Sequence, residues 1–201
     1  MKAIRIHSRG GPEALVYEDA LVPKITNGDA LIKVHAAAIT PTEFTWNSTF
    51  TTSDGKDRLP VVPSFEVSGT VTEVAPSVSD VSVGDAVFGL LDFWRDGAAA
   101  EFVTARATDL APKPKSLDHV HAAAVPLSGL TAWQALFDHA NLAADDRVLI
   151  PGAGGGVGTW AVQFARWRGA HVIGTASRTK HAFLHELGAD EVVDYTAVRL
   201  G

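Results

Sequence analysis

Up to about residue 115, apolar and polar residues alternate in short runs broken by Gly, Pro and Asp, the period-two pattern of half-buried strands. The pattern predicts strands at Lys2–Ile6, Ala30–Ala36, Val67–Val74 and Ala99–Val103, an antiparallel β region. A short helix is expected after Pro41, with Thr40 as its cap and Glu43 at the positive end of the helix dipole. Pro112-Lys-Pro-Lys115 is where the chain should leave this first domain.

From Asp118 the period becomes helical, first through His119–Ala124 and then Leu130–Phe137. Strands and helices alternate thereafter. Arg147–Ile150 reads as a strand, and Val157–Arg168 as a helix with Val157, Trp160, Ala161, Phe164 and Ala165 on one face. A second strand follows at His171–Thr175, and a helix ends at Gly188, a common residue just past a helix C-terminus. Glu191–Tyr195 is the third strand. An antiparallel region followed by βαβαβ implies an α/β protein with a parallel sheet in its second part. The expected domains are residues 1–118 and 119–201.

Composition narrows the chemistry. The 201 residues carry a formal charge of -6, so no basic face invites nucleic acid or an anionic membrane. Cysteine is absent, which excludes disulfides, thiol nucleophiles and thiolate metal sites; redox chemistry must come from a bound cofactor. The N-terminal residues alternate charged with apolar and form no signal peptide, so a cytoplasmic location is expected.

Gly152-Ala-Gly-Gly-Gly-Val-Gly158 falls between a predicted strand and a predicted helix, where backbone N–H groups and a helix dipole can hold a pyrophosphate. Ala153 takes the first glycine position of the dinucleotide fingerprint, and Gly155 and Gly158 the second and third. Gly156 and Val157 complete the turn into the helix. A free ribose 2′-hydroxyl usually meets an acidic residue about 20 residues further on. That stretch reads Ser177-Arg-Thr-Lys180, with no acidic residue between Asp146 and Glu186. Ser177, Arg178 and Lys180 suit a 2′-phosphate, so the expected cofactor is NADPH rather than NADH.

Other chemistry fits less well. His119 and His121 point to different helix faces, and His181 and His185 lack the Glu of a metalloprotease motif. Ser128, in Leu127-Ser-Gly-Leu130, lacks the first glycine of a nucleophile elbow, and helix capping is its expected role.

Several segments together resemble the medium-chain dehydrogenase/reductase superfamily, in its zinc-free branch of quinone oxidoreductases. They are Val34–Glu43, Pro63–Gly69, Val83–Gly89, Ala123–Trp133, Pro151–Arg166 and Leu187–Tyr195. The resemblance implies a GroES-like antiparallel β domain, a Rossmann domain beginning near residue 120, and a cleft between them. The zinc-ligand positions of metal-dependent relatives fall at Thr40, Phe65 and Leu127; phenylalanine and leucine have no donor atom and a neutral threonine hydroxyl is weak. By the same resemblance Thr131 is a nicotinamide contact, and Tyr195 joins the cofactor residues. Thr40, Thr42 and Trp46 are placed on the substrate side, with Thr40 where many quinone reductases carry asparagine.

The expected activity is therefore NADPH-dependent hydride transfer to a quinone or activated enone, with the threonine hydroxyls facing the oxygen that gains charge. Alternatives are an enoyl-thioester reductase, a non-catalytic NADPH-binding module, or an inactive truncated fragment. A sheet of this class has six strands, and the sequence stops after the third. The first strand would then be an exposed edge, so a fragment, a homodimer or a partner that completes the sheet is expected.

Overall fold

The computed structural model describes residues 1–197 and divides into two compact units, Met1–Pro126 and the chain from Leu127 onward. In the first, β1 (Lys2–Ile6) and β2 (Leu15–Asp19) form an antiparallel hairpin. Five further strands make an antiparallel sheet: β3 (Asp29–Ala38), β4 (Glu66–Val74), β5 (Ala86–Leu90), β6 (Phe102–Arg106) and β7 (Leu110–Pro112), in the order β6-β3-β4-β5-β7.

Ala30, Ile32, Val67, Val71, Val87 and Val103 fill the core of this unit together with Phe65. A smaller cluster joins Ile6 and Val61 to Phe50, which ends the single turn α1 (Asn47–Phe50). The first strand of the sheet is anchored by a buried ion pair. Asp29, 1% exposed, receives two hydrogen bonds from the Arg95 guanidinium at 2.8 and 2.9 Å and two more from the N–H and hydroxyl of Thr26.

α2 (His119–Ala123) starts at Asp118, whose carboxylate accepts from the His121 N–H at 2.8 Å and so fills an orphan donor of the first turn. His119 stacks on His35 of β3 at 4.4 Å, and its Nδ1 lies 2.8 Å from the buried Ser68 hydroxyl of β4. These contacts keep α2 on the sheet. The first unit therefore extends past residue 118 to Pro126, because the helix expected to open the second domain packs on the first.

In the second unit α3 (Pro126–Trp133) runs into a π-helical stretch, Gln134–His139. Next come β8 (Arg147–Ile150), α4 (Gly156–Arg168), β9 (His171–Thr175), α5 (His181–Leu187) and β10 (Glu191–Val193). The three strands are parallel in the order β10-β9-β8, the 3-2-1 half of a doubly wound sheet. Leu136, Ile150, Val162, Ala165, Val172 and Leu184 form the core. β8 is the edge of the described sheet, and Leu149 on it is 53% exposed.

Several expectations change. The short helix after Pro41 is a 3-10 helix over Pro41–Thr45, and Thr40 precedes it without the side-chain capping bond expected of it. The last predicted strand of the first unit shifts to Phe102–Arg106, because pairing with β3 begins at Phe102 opposite Lys33. Strand β10 ends at Val193, which leaves Tyr195 in the turn beyond it.

Candidate dinucleotide-binding site

The loop from Ile150 to Gly156 is folded by its own backbone. Gly152 sits at φ +65°, a left-handed conformation open to glycine, and its carbonyl accepts from the Gly155 N–H at 2.9 Å. Its N–H donates to the Thr175 hydroxyl at 3.1 Å, and the Ala153 N–H donates to the Thr175 carbonyl at 3.0 Å. The end of β9 thus holds the loop. Ala153 stands where the fingerprint has glycine, and it fits because the facing residue is Gly174, where an added Cβ would lie 2.9 Å from that of Ala153.

Gly158 sets how closely α4 approaches the loop. A Cβ there would lie 2.4 Å from the Gly152 carbonyl oxygen and 2.7 Å from the Ala153 Cα, both backbone atoms that cannot step aside. The absence of that methyl lets the first turn of α4, carrying Gly156, Val157 and Gly158, sit against the loop. First-turn amides have no intrahelical acceptor, so this helix of 13 residues presents N–H donors and the positive end of its dipole at the loop. The cradle fits a pyrophosphate by chemistry and by shape.

Ser177, Arg178 and Lys180 follow the end of β9, in and before a short 3-10 turn. Arg178 and Lys180 are exposed, and neither joins an ion pair among the described residues. The Lys180 stem reaches the glycine loop: its Cγ would be 3.3 Å from a Cβ on Gly154. The fold therefore joins two sequence segments, the glycine loop and the basic turn, into one surface. Tyr195 is exposed in the turn after β10.

Two residues stand here without having been expected at this site. Ser128 lies inside α3 rather than capping a helix, and its hydroxyl faces Gly156, 3.3 Å from where a Cβ would stand. Asp194 is an acid near the basic turn. The Thr196 hydroxyl and N–H hold its pKa down, with weaker help from His181 and Arg178. It lies past the acid-free stretch, after the third strand and not at the end of the second. Thr131 is exposed on α3, and its hydroxyl donates to the Leu127 carbonyl at 2.7 Å, one turn back.

The residues expected on the substrate side belong to the first unit. Thr40 and Thr42 flank Pro41, with Thr42 exposed and Thr40 half-buried. Trp46 stacks on Phe65 at 6.3 Å and meets the edge of Phe93 at 5.6 Å, so its ring is half-fixed by an aromatic trio. Phe65, one of the positions matching a zinc ligand in metal-dependent relatives, is 1% exposed within this trio. The histidines are otherwise engaged: His121 with Asp118, His181 with the Ala176 carbonyl and His185 with the Ala189 carbonyl. Among the described residues no three potential ligands gather as a metal site.

Residues 26–115 match the family described as Alcohol dehydrogenase GroES-like domain, and residues 156–200 the family described as Zinc-binding dehydrogenase. The chain is 37% identical over 197 residues to a quinone oxidoreductase of Rattus norvegicus, covering 97% of this chain and 59% of that protein. It is 34% identical to the mitochondrial NAD(P)H oxidoreductase RTN4IP1 of Mus musculus, covering 98% and 54%. Among solved structures, the quinone oxidoreductase from Coxiella burnetii superposes with a TM-score of 0.89 at 36% identity, over 99% of this chain and 63% of that one. Mycobacterial Rv1454c complexed with NADPH gives 0.83 at 34% identity, over 96% and 58%. The chain spans between 48% and 61% of the length of the curated relatives it matches.

Proposed function

We propose, for a chain that belongs to the medium-chain dehydrogenase/reductase superfamily in its quinone oxidoreductase-like branch, that it binds NADPH and serves zinc-free reduction of a quinone or activated enone. The observation that carries this reading is the closed glycine cradle at α4 with Lys180 laid against it and Arg178 in the same short turn as Lys180. First-turn amides of α4 hold the pyrophosphate, while Ser177, Arg178 and Lys180 take the 2′-phosphate. Gly155, Gly156, Val157 and Gly158 are the backbone contacts, and Thr131 and Tyr195 border the same cofactor. Relatives named as NAD(P)H oxidoreductases, and a structural neighbour bound to NADPH, support it.

When bound, the reduced nicotinamide supplies the hydride. The chain's own contribution is to fix the cofactor and to offer hydroxyl donors, from Thr40 and Thr42, to the acceptor oxygen as it gains negative charge. Trp46 forms an apolar wall that excludes water from that oxygen. Phe65 and Leu127 carry no donor atom, so the reading gives the acceptor oxygen to hydroxyls and not to a metal.

The test is NADPH consumption by the purified protein with a panel of quinones, enones and enoyl thioesters, alongside a binding titration. Turnover with quinones or simple enones supports the reading. Turnover confined to enoyl thioesters reassigns the acceptor class. Tight NADPH binding with no turnover makes the chain a binding module.

A further inference from the structure

The turn Pro41–Thr45 has one buried residue, and it is an acid. Glu43 is 1% exposed, while Thr42 and Pro41 on either side of the turn's first bend face solvent. Its Oε2 accepts from the Ser64 N–H at 3.3 Å, and its Oε1 is buried without a hydrogen-bond partner among the described residues. The same residue holds the turn through its backbone. Its N–H donates to the Thr40 carbonyl at 2.9 Å, and its carbonyl receives the Trp46 N–H at 3.3 Å and the Thr49 hydroxyl of α1 at 2.6 Å.

Ser64, on the other side of this contact, is a non-glycine residue at φ +76°, a costly conformation that persists only when surrounding bonds impose it. Those bonds come from three directions. Its N–H reaches Glu43, its hydroxyl donates to the Ala38 carbonyl at the end of β3 at 2.8 Å, and its carbonyl accepts from the Ala98 N–H. Ser64 leads into Phe65, which stacks on Trp46, and Glu66, the first residue of β4.

We propose that Glu43 is a positioning residue whose neutral acid form pins the Thr40–Trp46 segment to Ser64, and that its ionisation releases this segment and with it the hydroxyls and indole that face the acceptor. The proposal deepens the reductase reading and rests on it for the catalytic consequence.

The chemistry favours the neutral form. With a proton on Oε1, Oε2 is left as a carbonyl acceptor matched to the Ser64 N–H, whereas an anion would carry half its charge on a buried oxygen with no donor. Burial raises its pKa from 4.5 to about 7; the Ser64 N–H opposes this and Glu66 adds to it. Glu66, also buried, is the charged group acting on Glu43 from β4, and it has the same sign. The contacts from α1 and from Ser64 are a neutral hydroxyl and a neutral amide. A group whose folded pKa lies above its unfolded value stabilises below the unfolded value and loses that contribution as pH rises through the folded one. The segment should therefore loosen as pH climbs through neutrality.

The experiment compares wild type with Glu43→Gln, which keeps the shape and the acceptor for Ser64 but cannot ionise. Protein labelled with 5-fluorotryptophan is followed by fluorine NMR, with the Trp46 resonance assigned through Trp46→Phe. Between about pH 6 and pH 8 the Trp46 signal should shift or broaden in wild type and stay fixed in the variant. In parallel, kcat/KM for whichever acceptor is turned over should fall roughly tenfold per pH unit on the alkaline side in wild type and stay within about twofold in Glu43→Gln. NADPH affinity should be alike in both. An infrared difference between the two proteins should show a protonated carboxyl at about pH 6 that is gone by about pH 8.

A Trp46 signal that titrates identically in both proteins, or a carboxyl already ionised at about pH 6, overturns the proposal. Absence of turnover with every acceptor would count against the reductase reading alone, because the fluorine and infrared measurements still decide the role of Glu43. Should Glu43→Gln fail to fold, the same titration on Ser64→Gly, which removes the strain at φ +76° but keeps the amide, should preserve the Trp46 transition; its disappearance counts against the proposal.

Discussion

Gly158→Val should abolish dinucleotide binding while leaving the first unit folded. A valine Cβ would be forced to 2.4 Å from the Gly152 carbonyl oxygen and 2.8 Å from the Ala153 carbonyl carbon, and both contacts are with backbone already tied to Thr175. The helix has to withdraw, and its first-turn amides leave the cradle with it. Overpacking of this kind costs about 1–3 kcal/mol in stability, and a retreat of even an ångström removes several charge-assisted bonds. The expected loss in NADPH affinity is at least roughly 100-fold, equivalent to about 2.7 kcal/mol. Gly156→Ala is the matched control, since its Cβ would meet the Ser128 hydroxyl at 3.3 Å and that side chain can turn away. Calorimetric titration of the two variants checks this; retained affinity in Gly158→Val would contradict it.

Arg95→Met should destabilise the first unit by about 3–5 kcal/mol, the usual cost of leaving a buried charge without its partner. Asp29 shows why. Burial pushes its pKa up, but the Arg95 hydrogen bonds and those of Thr26 outweigh it and hold the group at about 2, below the ordinary 3.8. A depressed pKa means stability that is complete above about pH 4 and is lost as pH falls through about 2, a span of about 2 kcal/mol in wild type. Without Arg95 the burial effect dominates and the sign reverses, so the variant should lose stability as pH rises through the acid range. The two Thr26 bonds soften that loss without cancelling it. Urea unfolding at several pH values between about 3 and 7 should show the wild-type and variant curves diverging toward neutrality; parallel curves would contradict the assignment.

Most of the second unit was legible because its signals are local. The period-3.6 face of α4, the β-branched run of β9 and Gly188 at φ +109° after α5 are each decided by residues near in sequence. The parallel sheet then follows from alternation, whereas the order β10-β9-β8 belongs to the doubly wound class and not to any local pattern. Strands β2, β5 and β7 were not read, because short strands such as Leu110–Pro112 gain their status from a partner far along the chain. The π-helical stretch after Trp133 and the docking of α2 onto β3 and β4 are likewise tertiary outcomes.

The geometry of the candidate site was legible in part. Glycines at fixed spacing marked the tight loop before α4, while the contact of the Lys180 stem with Gly154 needed the fold. Glu43 was misread in a different way. A carboxylate in the first turn after a proline is ordinarily a solvated partner of the helix dipole. Here the segment through Ser64 closes over it, and no local pattern in residues 40–46 encodes that cover.

The central claim is that the basic turn after β9 selects the phosphorylated cofactor, and paired titrations with NADPH and NADH test it most directly. Wild type should bind NADPH at least about tenfold more tightly, a margin of about 1.4 kcal/mol or more. Reversing the charges with Arg178→Glu and Lys180→Glu together should erase or invert that margin while NADH binding changes little. Equal affinity of wild type for the two dinucleotides, or a charge-reversed variant that still prefers NADPH, would contradict the account.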